Sequence, residues 1–315
     1  MRSAPLTWTP EQLPDLTGKT YVITGGNTGL GLASAKILAG KGGRVVITAR
    51  SATKAEAALS DLRSSVPGIQ ADYVLLDLSE PDSIVAAADA LHEKCPRIDA
   101  FINNAGVMQT PEIRTSEGFE LQMATNHLGH FRLNAKMMDV LEASAGRIVP
   151  VSSVAHLGAD IAIDDLQSHR GYSAMAAYGQ SKLANLLYAF ELQRRLEQRT
   201  SRVSVYPCHP GYAATQLQSS GITLGGGGAV LRRVYAVANA LLAQTSETGA
   251  YALTLAAADP QARPGVYYGP TRMGQSRGPV GESRVAAKAR DETLARQLWE
   301  KTEECAGPFF ANASS

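Results

Sequence analysis

Apolar positions along this chain fall into short solid blocks, separated by stretches in which they recur every three or four residues. Residues 20–24 (Thr20-Tyr21-Val22-Ile23-Thr24) form a β-branched, apolar run that ends in glycines, the pattern of a strand buried on both faces. Leu30, Ala33, Ile37 and Leu38 then repeat at helical spacing until Gly40 and the Gly42-Gly43 pair stop them. Residues 44–50 are a second apolar block and complete a β-turn-α-β unit of about thirty residues, the length of a parallel crossover. The alternation goes on. It predicts a helix over 53–64, a strand over 72–76, a helix over 81–92 with Ser79 as its N-cap, and a strand over 100–102. A long helix follows over 117–142, then a strand over 147–151, a helix over 176–199 and a strand over 203–206.

Strands that alternate with helices in this way imply an α/β fold: one Rossmann-type, doubly wound parallel sheet with helices on both faces, spanning residues 1–315 as a single domain. Two segments break the rhythm. Residues 154–177 read as a long loop. Residues 212–246 hold four consecutive glycines, Gly225 to Gly228, and then an apolar helix over 230–243 interrupted by Arg232-Arg233. Long segments at the carboxyl ends of sheet strands usually carry ligand contacts, so 212–246 is a candidate substrate lid; its helix reads equally well as a core element. The tail from Gly274 starts as loop and becomes a helix over 285–304, a packing element.

Composition narrows the class. The 315 residues are 44% hydrophobic and 19% charged, which suits a chain that buries a sizeable core and excludes disorder as its main state. Thirty basic and 29 acidic residues leave a net charge of +1, too little for a field that steers the chain onto nucleic acid or an anionic membrane. Cys95, Cys208 and Cys305 form no C-x-x-C pair, which fits a reducing compartment and neither a disulfide scaffold nor a zinc site. No apolar run reaches the roughly 18 residues of a membrane span, and Pro5, Pro10, Glu11 and Pro14 stand where a signal peptide needs an apolar block. The expected location is the cytoplasm.

Chemistry enters at the first turn. Thr24-Gly25-Gly26-Asn27-Thr28-Gly29-Leu30-Gly31 lies between a strand and a helix, where free amides and the helix dipole favour a pyrophosphate. Gly25, Asn27, Thr28, Gly29, Leu30 and Gly31 are therefore candidate cofactor contacts. The end of the second strand selects the nucleotide. A site for NAD places Asp or Glu there to hold the ribose 2′-hydroxyl. This chain has Arg50, whose fork suits a 2′-phosphate, a charged contact worth roughly 1.5–3 kcal/mol. NADP(H) is the expected cofactor. Asp77 and Leu78 end the third strand where adenine would lie, and Asn104, Ala105 and Gly106 follow the fourth with side chains small enough to let a flat ring pass.

Tyr178 and Lys182 are i and i+4 on a predicted helix and share one face. An ammonium about 5 Å from a phenol, at an effective dielectric near 20, favours phenolate by roughly 3 kcal/mol, enough to bring a tyrosine toward neutral pH as a proton shuttle. Ser152 and Ser153 follow the fifth strand, and either hydroxyl suits a substrate carbonyl opposite Tyr178. Asn126 and Asn134 both sit in the long helix, and spacing does not choose between them. His127, His130, His156 and His209 lack a fourth ligand at metal spacing and read as packing residues, with His156 and His209 as guesses for the substrate pocket.

Together these residues resemble the short-chain dehydrogenase/reductase family, from about Gly18 to Gly269. Thr24-Gly25-x-x-x-Gly29-x-Gly31 is similar to its cofactor turn, Asp77 to its adenine contact, and Asn103-Asn104-Ala105-Gly106 to its NNAG motif. The resemblance implies a catalytic tetrad of Asn126, Ser153, Tyr178 and Lys182, and a segment over the nicotinamide at Pro210, Gly211 and Thr215. Pro150 departs from the pattern, since many members have asparagine there. The wide gap between Ser153 and Tyr178, the run Gln180-Ser181-Lys182-Leu183-Ala184-Asn185 and the tail's Leu298-Trp299 resemble the branch of retinol dehydrogenases and light-dependent protochlorophyllide reductase, closer to the former. The implied activity is hydride transfer between NADP(H) and the carbonyl or alcohol of a hydrophobic small molecule. In it Tyr178 supplies the proton, Ser153 holds the carbonyl, Lys182 holds ribose and lowers the phenol pKa, and Asn126 positions a water. Members commonly form homodimers through the two long helices. Two other readings are a nucleotide-sugar epimerase or dehydratase, which the glycine spacing and the NNAG motif oppose, and a non-enzymatic NADP(H)-sensing protein. Net change of absorbance at 340 nm separates both from the reductase.

Overall fold

The computed structural model describes residues 8–212 and 244–310. Six parallel strands make the central sheet: β1 (Thr20–Ile23), β2 (Arg44–Ala49), β3 (Ala71–Leu75), β4 (Ala100–Asn103), β5 (Arg147–Pro150) and β6 (Ser204–Val205), in the spatial order β3-β2-β1-β4-β5-β6. Ile23 lies opposite Ile47 on one side and Ile102 on the other, so β1, β2 and β4 end along one edge. The order of strands reverses between β1 and β4. Chain connections leave that point toward opposite faces, and a crevice opens at the carboxyl edge.

Both faces of the sheet are covered, which explains why its central strands are solidly apolar rather than alternating. Successive residues point to opposite layers. Tyr21 and Ile23 pack with Leu38 of α1 (Gly29–Gly40), Leu59 of α2 (Ala52–Ser65) and Leu253 of α8 (Ser246–Ala258). Val22 and Phe101 pack on the other side with Ile84 of α3 (Pro81–Lys94), Phe131 of α5 (Gly129–Lys136), Leu192 of α7 (Ala174–Gln198) and Trp299 of α9 (Glu292–Ala306). Between α4 (Leu121–Met123) and α5 the helix takes a π turn over Ala124–Leu128, where the Gly129 amide reaches back five residues to the Ala124 carbonyl. The helical path ends in α6 (Met138–Ser144).

The structure departs from the periodicity at several ends. The helix expected over 117–142 starts at Leu121. Gly118, at φ +81°, turns the chain, and Glu120 caps the helix through the Gln122 and Met123 amides. Ser79 is not a cap: its hydroxyl turns back to Asp77 Oδ1 at 2.6 Å, and Glu80 stands at the N-cap. The loop expected over 154–177 contains short 3-10 turns at Val154–Gly158 and Ile163–Asp165 and ends four residues early.

The tail differs most. Tyr268–Arg272 (β7) and Arg277–Glu282 (β8) form an antiparallel hairpin, which Gly269, Pro270, Gly278 and Pro279 disguise as loop. It joins the sheet edge through the parallel bridge Cys208–Tyr268. The final helix runs over Glu292–Ala306 and not 285–304, because the Asp291 carboxylate caps it through the amides of Thr293 and Leu294. Most of the 212–246 segment, with its helix over 230–243 and Thr215, lies outside the described residues.

Candidate active site

The turn after β1 is shaped by what glycine lacks. Gly25 holds φ at +62°, and a Cβ on Gly31 would sit 2.5 Å from the Gly25 carbonyl and 2.7 Å from Asn104 Nδ2. Only glycine lets α1 start this close to the strand edge. Asn104 fixes the turn by donating to the carbonyls of Thr24 at 2.8 Å and Gly25 at 3.3 Å. A cleft of about 620 Å³ opens above it, lined by Gly25, Asn27, Thr28, Gly29, Leu30, Arg50, Asp77, Leu78, Asn104, Ala105 and Gly106. The structure thus brings the candidate turn, adenine and NNAG residues to one crevice at the strand reversal. Gly31 lies beneath it.

Arg50 stands exposed at the end of β2, with Lys54 on the same wall. Among the described residues it makes no ion pair. Asp61, an acid on that wall, is bonded to Lys36 Nζ at 2.9 Å. This end of the cleft is left with unpaired positive charge, the condition for binding a dianion.

Away from Arg50 the wall runs through Gly106 and on to Val107, Met108 and Thr110, and the tetrad stands behind Gly106. Asn126 lies in the π turn. Its Oδ1 accepts from the Val107 amide at 2.8 Å, and its Nδ2 donates to the Val107 carbonyl at 3.0 Å and to Ser181 Oγ at 2.9 Å. Both amide hydrogens are thereby used. The side-chain amide is a clamp that ties the loop after β4 to α7, since Ser181 Oγ in turn donates to the Tyr178 carbonyl at 2.8 Å. Asn134, the other candidate, faces away and donates to the Tyr188 hydroxyl.

The serine pair divides cleanly. Ser152 is buried and its hydroxyl donates to the Lys182 carbonyl at 2.7 Å, which leaves it a structural bond. Ser153 is half-buried, its hydroxyl lies close enough to the Tyr178 phenol to draw its pKa down, and the Ala155 amide donates to it from behind at 3.2 Å. Lys182 is 5% exposed; its Nζ donates to the Val151 carbonyl at 3.2 Å and lies 5.7 Å from the centre of the Tyr178 ring. Asn185, one turn on, donates to the same carbonyl at 3.2 Å.

Burial, not the ammonium, sets the charges here. It raises the Tyr178 phenol above its ordinary 10, although the Ser153 hydroxyl pulls it back, and it lowers Lys182 to about 8. The expected drop of the phenol toward neutrality is absent. The i, i+4 spacing, with an effective dielectric near 20, accounts for the attraction of the ammonium and leaves out the cost of burying a phenolate.

The four histidines are buried and bonded. Burial lowers His127 to about 4, and His130 and His209 to about 3, and also depresses His156. His156 Nδ1 donates to the Ser153 carbonyl at 2.6 Å, and its Nε2 accepts from the Ala286 amide, so the tail supports the serine from behind. His209 bonds Ser283 and stacks on Tyr267 at 4.9 Å. Pro210 and Gly211 follow, with Gly211 at φ +76° where a Cβ would meet the Ser276 carbonyl at 2.5 Å. Thr215 lies outside the described residues.

Sequence reasoning missed two supports. Gln122, fully buried, accepts from the Gln109 amide and donates to the Tyr172 hydroxyl and the Ala174 carbonyl, joining the loop after β4 to the start of α7. Gln180 holds the gap before Tyr178 by bonding the Ala162 amide and the Leu166 carbonyl. A glutamine on an apolar helix face was the available signal for both.

A family model described as short chain dehydrogenase matches residues 19–222. The chain is 38% identical over 299 residues to human retinol dehydrogenase 13, covering 93% of this chain and 86% of the relative. It is 35% identical over 293 residues to mouse retinol dehydrogenase 12, covering 93% and 87%. Among solved structures, an uncharacterised protein from Mycobacterium paratuberculosis superposes with a TM-score of 0.80 at 32% identity, over 97% of this chain and all of that one.

Proposed function

This chain belongs to the short-chain dehydrogenase family, and from that premise we propose that it moves a hydride between NADP(H) and the carbonyl or alcohol carbon of an apolar small molecule. Family membership carries oxidoreductase chemistry and a nicotinamide cofactor. The NADP preference and the apolar substrate are our reading.

The residues present fit the dinucleotide. The glycine turn is a cradle that a Cβ at Gly31 would fill, and the cleft runs from Arg50, which makes no ion pair among the described residues, past Gly106 beside Asn126. Gly25, Asn27, Thr28, Gly29 and Leu30 would hold the pyrophosphate, Asp77 and Leu78 the adenine end, and Arg50 the 2′-phosphate. Asn104, Ala105, Gly106, Pro210 and Gly211 would flank the nicotinamide end. When bound, the reduced cofactor supplies the hydride.

The chain's own residues do the rest. Ser153 and Tyr178, neighbours close enough for the serine to lower the phenol pKa, present two hydroxyls to one substrate oxygen. Tyr178 gives its proton to that oxygen as negative charge develops there. The raised phenol pKa keeps the proton in place until then. Lys182, with a pKa near 8, is mostly protonated at neutral pH and stabilises the phenolate that forms. Asn126 keeps α7 and the loop after β4 in register through Ser181 and Val107. In the oxidation direction the same groups act in reverse.

The observation that carries this reading is the Ser153–Tyr178 pair beside the buried Lys182, at the Gly106 end of a dinucleotide-shaped cleft. Exposed apolar side chains support the substrate class: Leu157, four residues after Ser153, is 41% exposed, and Met175, three before Tyr178, is 52% exposed. The test is turnover with NADPH and NADH on a panel of aliphatic, aromatic and polycyclic carbonyls. We expect NADPH oxidation that favours the apolar members; preference for NADH or for small polar carbonyls contradicts it.

A further inference from the structure

His130 belongs to no part of the site described so far. It is 3% exposed, on the first turn of α5, four residues after Asn126. Its Nδ1 lies 3.1 Å from the Asn126 carbonyl oxygen, and its Nε2 lies 2.8 Å from Thr24 Oγ1. Thr24 is buried at the end of β1, and its Oγ1 accepts from the Ala105 amide at 2.9 Å.

Donor and acceptor rules leave these contacts one direction. A carbonyl only accepts, so Nδ1 must carry the ring hydrogen. Burial holds the ring neutral, with a pKa near 3, so Nε2 has a lone pair and accepts. Thr24 therefore gives its single hydrogen to His130, in preference to the Ile102 carbonyl at 3.4 Å, and keeps its lone pair for Ala105. The chain reads Ala105 N–H to Thr24 Oγ1–H to His130 Nε2, and His130 Nδ1–H to the Asn126 carbonyl. It joins three elements that sequence places far apart: the strand that enters the cofactor turn, the loop that floors the nicotinamide end, and the π turn that carries Asn126. A π turn disturbs the usual i to i−4 bonding, and the imidazole supplies a donor to a carbonyl within it.

We propose that His130 is a positioning residue for the reaction: as the neutral Nδ1–H tautomer, it and Thr24 set the Ala105-Gly106 loop and Asn126 at a fixed distance from each other, so that cofactor seating and tetrad alignment depend on one hydrogen-bond chain. The inference rests on the oxidoreductase reading only for its effect on turnover. The tautomer and the effect on cofactor affinity stand apart from it.

Three measurements test it. Nitrogen-15 spectra of the imidazoles should show one ring, absent in His130→Phe, as the neutral Nδ1–H tautomer; an Nε2–H tautomer or a charged ring at neutral pH overturns the proposal. His130→Phe and Thr24→Val should each weaken NADPH binding and lower kcat by about 10- to 100-fold, the size of effect a misplacement near 1 Å produces. The double variant should be no worse than the worse single one, because both break the same chain. Thr24→Ser, which keeps the hydroxyl, should recover to within about threefold of the unaltered protein, where a role in packing alone would favour valine, which keeps threonine's volume, over serine. Affinity and kcat unchanged in His130→Phe while only the melting temperature falls, or losses that multiply in the double variant, overturn it. Should His130→Phe not fold, the Thr24→Val and Thr24→Ser pair decides alone. Should the protein reduce no carbonyl, NADPH affinity and the tautomer still decide, and the proposed function fails separately.

Discussion

The Cβ that Gly106 lacks would stand 2.9 Å from Asn126 Oδ1 and 3.6 Å from Lys182 Nζ. The loop that lines the cleft at Gly106 is thus pressed against the tetrad, with no room for a methyl group. Gly106→Ala should push Asn126 off its bond to the Val107 amide. We expect kcat to fall by about 10-fold or more, as small displacements of aligned groups do, with the melting temperature little changed. Steady-state kinetics beside a thermal melt check this. Unaltered kcat would mean that the asparagine tolerates displacement.

On the proposed reading, Arg50 sets the preference for NADPH. Arg50→Ala removes a guanidinium that no carboxylate neutralises among the described residues. A lost charged contact of roughly 1.5–3 kcal/mol predicts a rise of about 10- to 100-fold in the KM for NADPH. NADH, which has no 2′-phosphate, should be affected little. Equal effects on both cofactors would place Arg50 against the adenine instead.

Acid should destabilise the protein before its carboxylates protonate. His127, His130 and His209 have folded pKa values of about 4, 3 and 3, lowered by burial from 6.5. Between these values and 6.5 the unfolded chain binds protons that the folded chain refuses. Their contribution is therefore intact above pH 6.5 and is lost as pH falls, at up to about 4 kcal/mol per pH unit for three protons. Urea midpoints at pH 7 and pH 5 read it directly. A midpoint that holds steady over this range would mean that the rings are charged in the folded protein.

The helices that carry the tetrad are already covered. Trp299 of α9 stacks on Tyr188 of α7 at 6.0 Å and meets Phe131 of α5 edge-on at 5.2 Å; Phe309 adds a contact to Phe131 at 5.0 Å. Thr302 reaches His127 in the π turn at 2.9 Å. A homodimer through that face would have to displace α9 and expose this aromatic cluster. Light scattering is expected to return a mass near 33.3 kDa. Twice that value at micromolar concentration would mean that another face pairs.

Periodicity revealed the strands because Val22, Val46 and Phe101 are buried on one face and Ile23, Ile47 and Ile102 on the other, and an element buried on both sides needs no alternation to be seen. It revealed the Tyr178 and Lys182 pair because i, i+4 spacing is a property of the helix itself. The boundaries set by single side chains were not legible. Glu120 and Asp291 act as caps only because the chain brings them to the amides of Gln122 and Thr293, and an acid one turn earlier would read the same. The division of labour between Ser152 and Ser153 depends on which of two adjacent residues faces the sheet, and a shift of one residue reverses it. The pKa of Tyr178 depends on how much water reaches it, and spacing carries no information on that.

The central claim is that Tyr178 hands a proton to a substrate oxygen while a hydride arrives from NADPH. It is tested most directly with NADPH deuterated at the transferred C4 position and an apolar carbonyl that the protein turns over. The account predicts one deuterium on the product's carbinol carbon. It also predicts a loss of about 100- to 10,000-fold in turnover for Tyr178→Phe, with NADPH affinity nearly unchanged. Tight NADPH binding without deuterium transfer to any carbonyl, or substantial turnover by Tyr178→Phe, would contradict it.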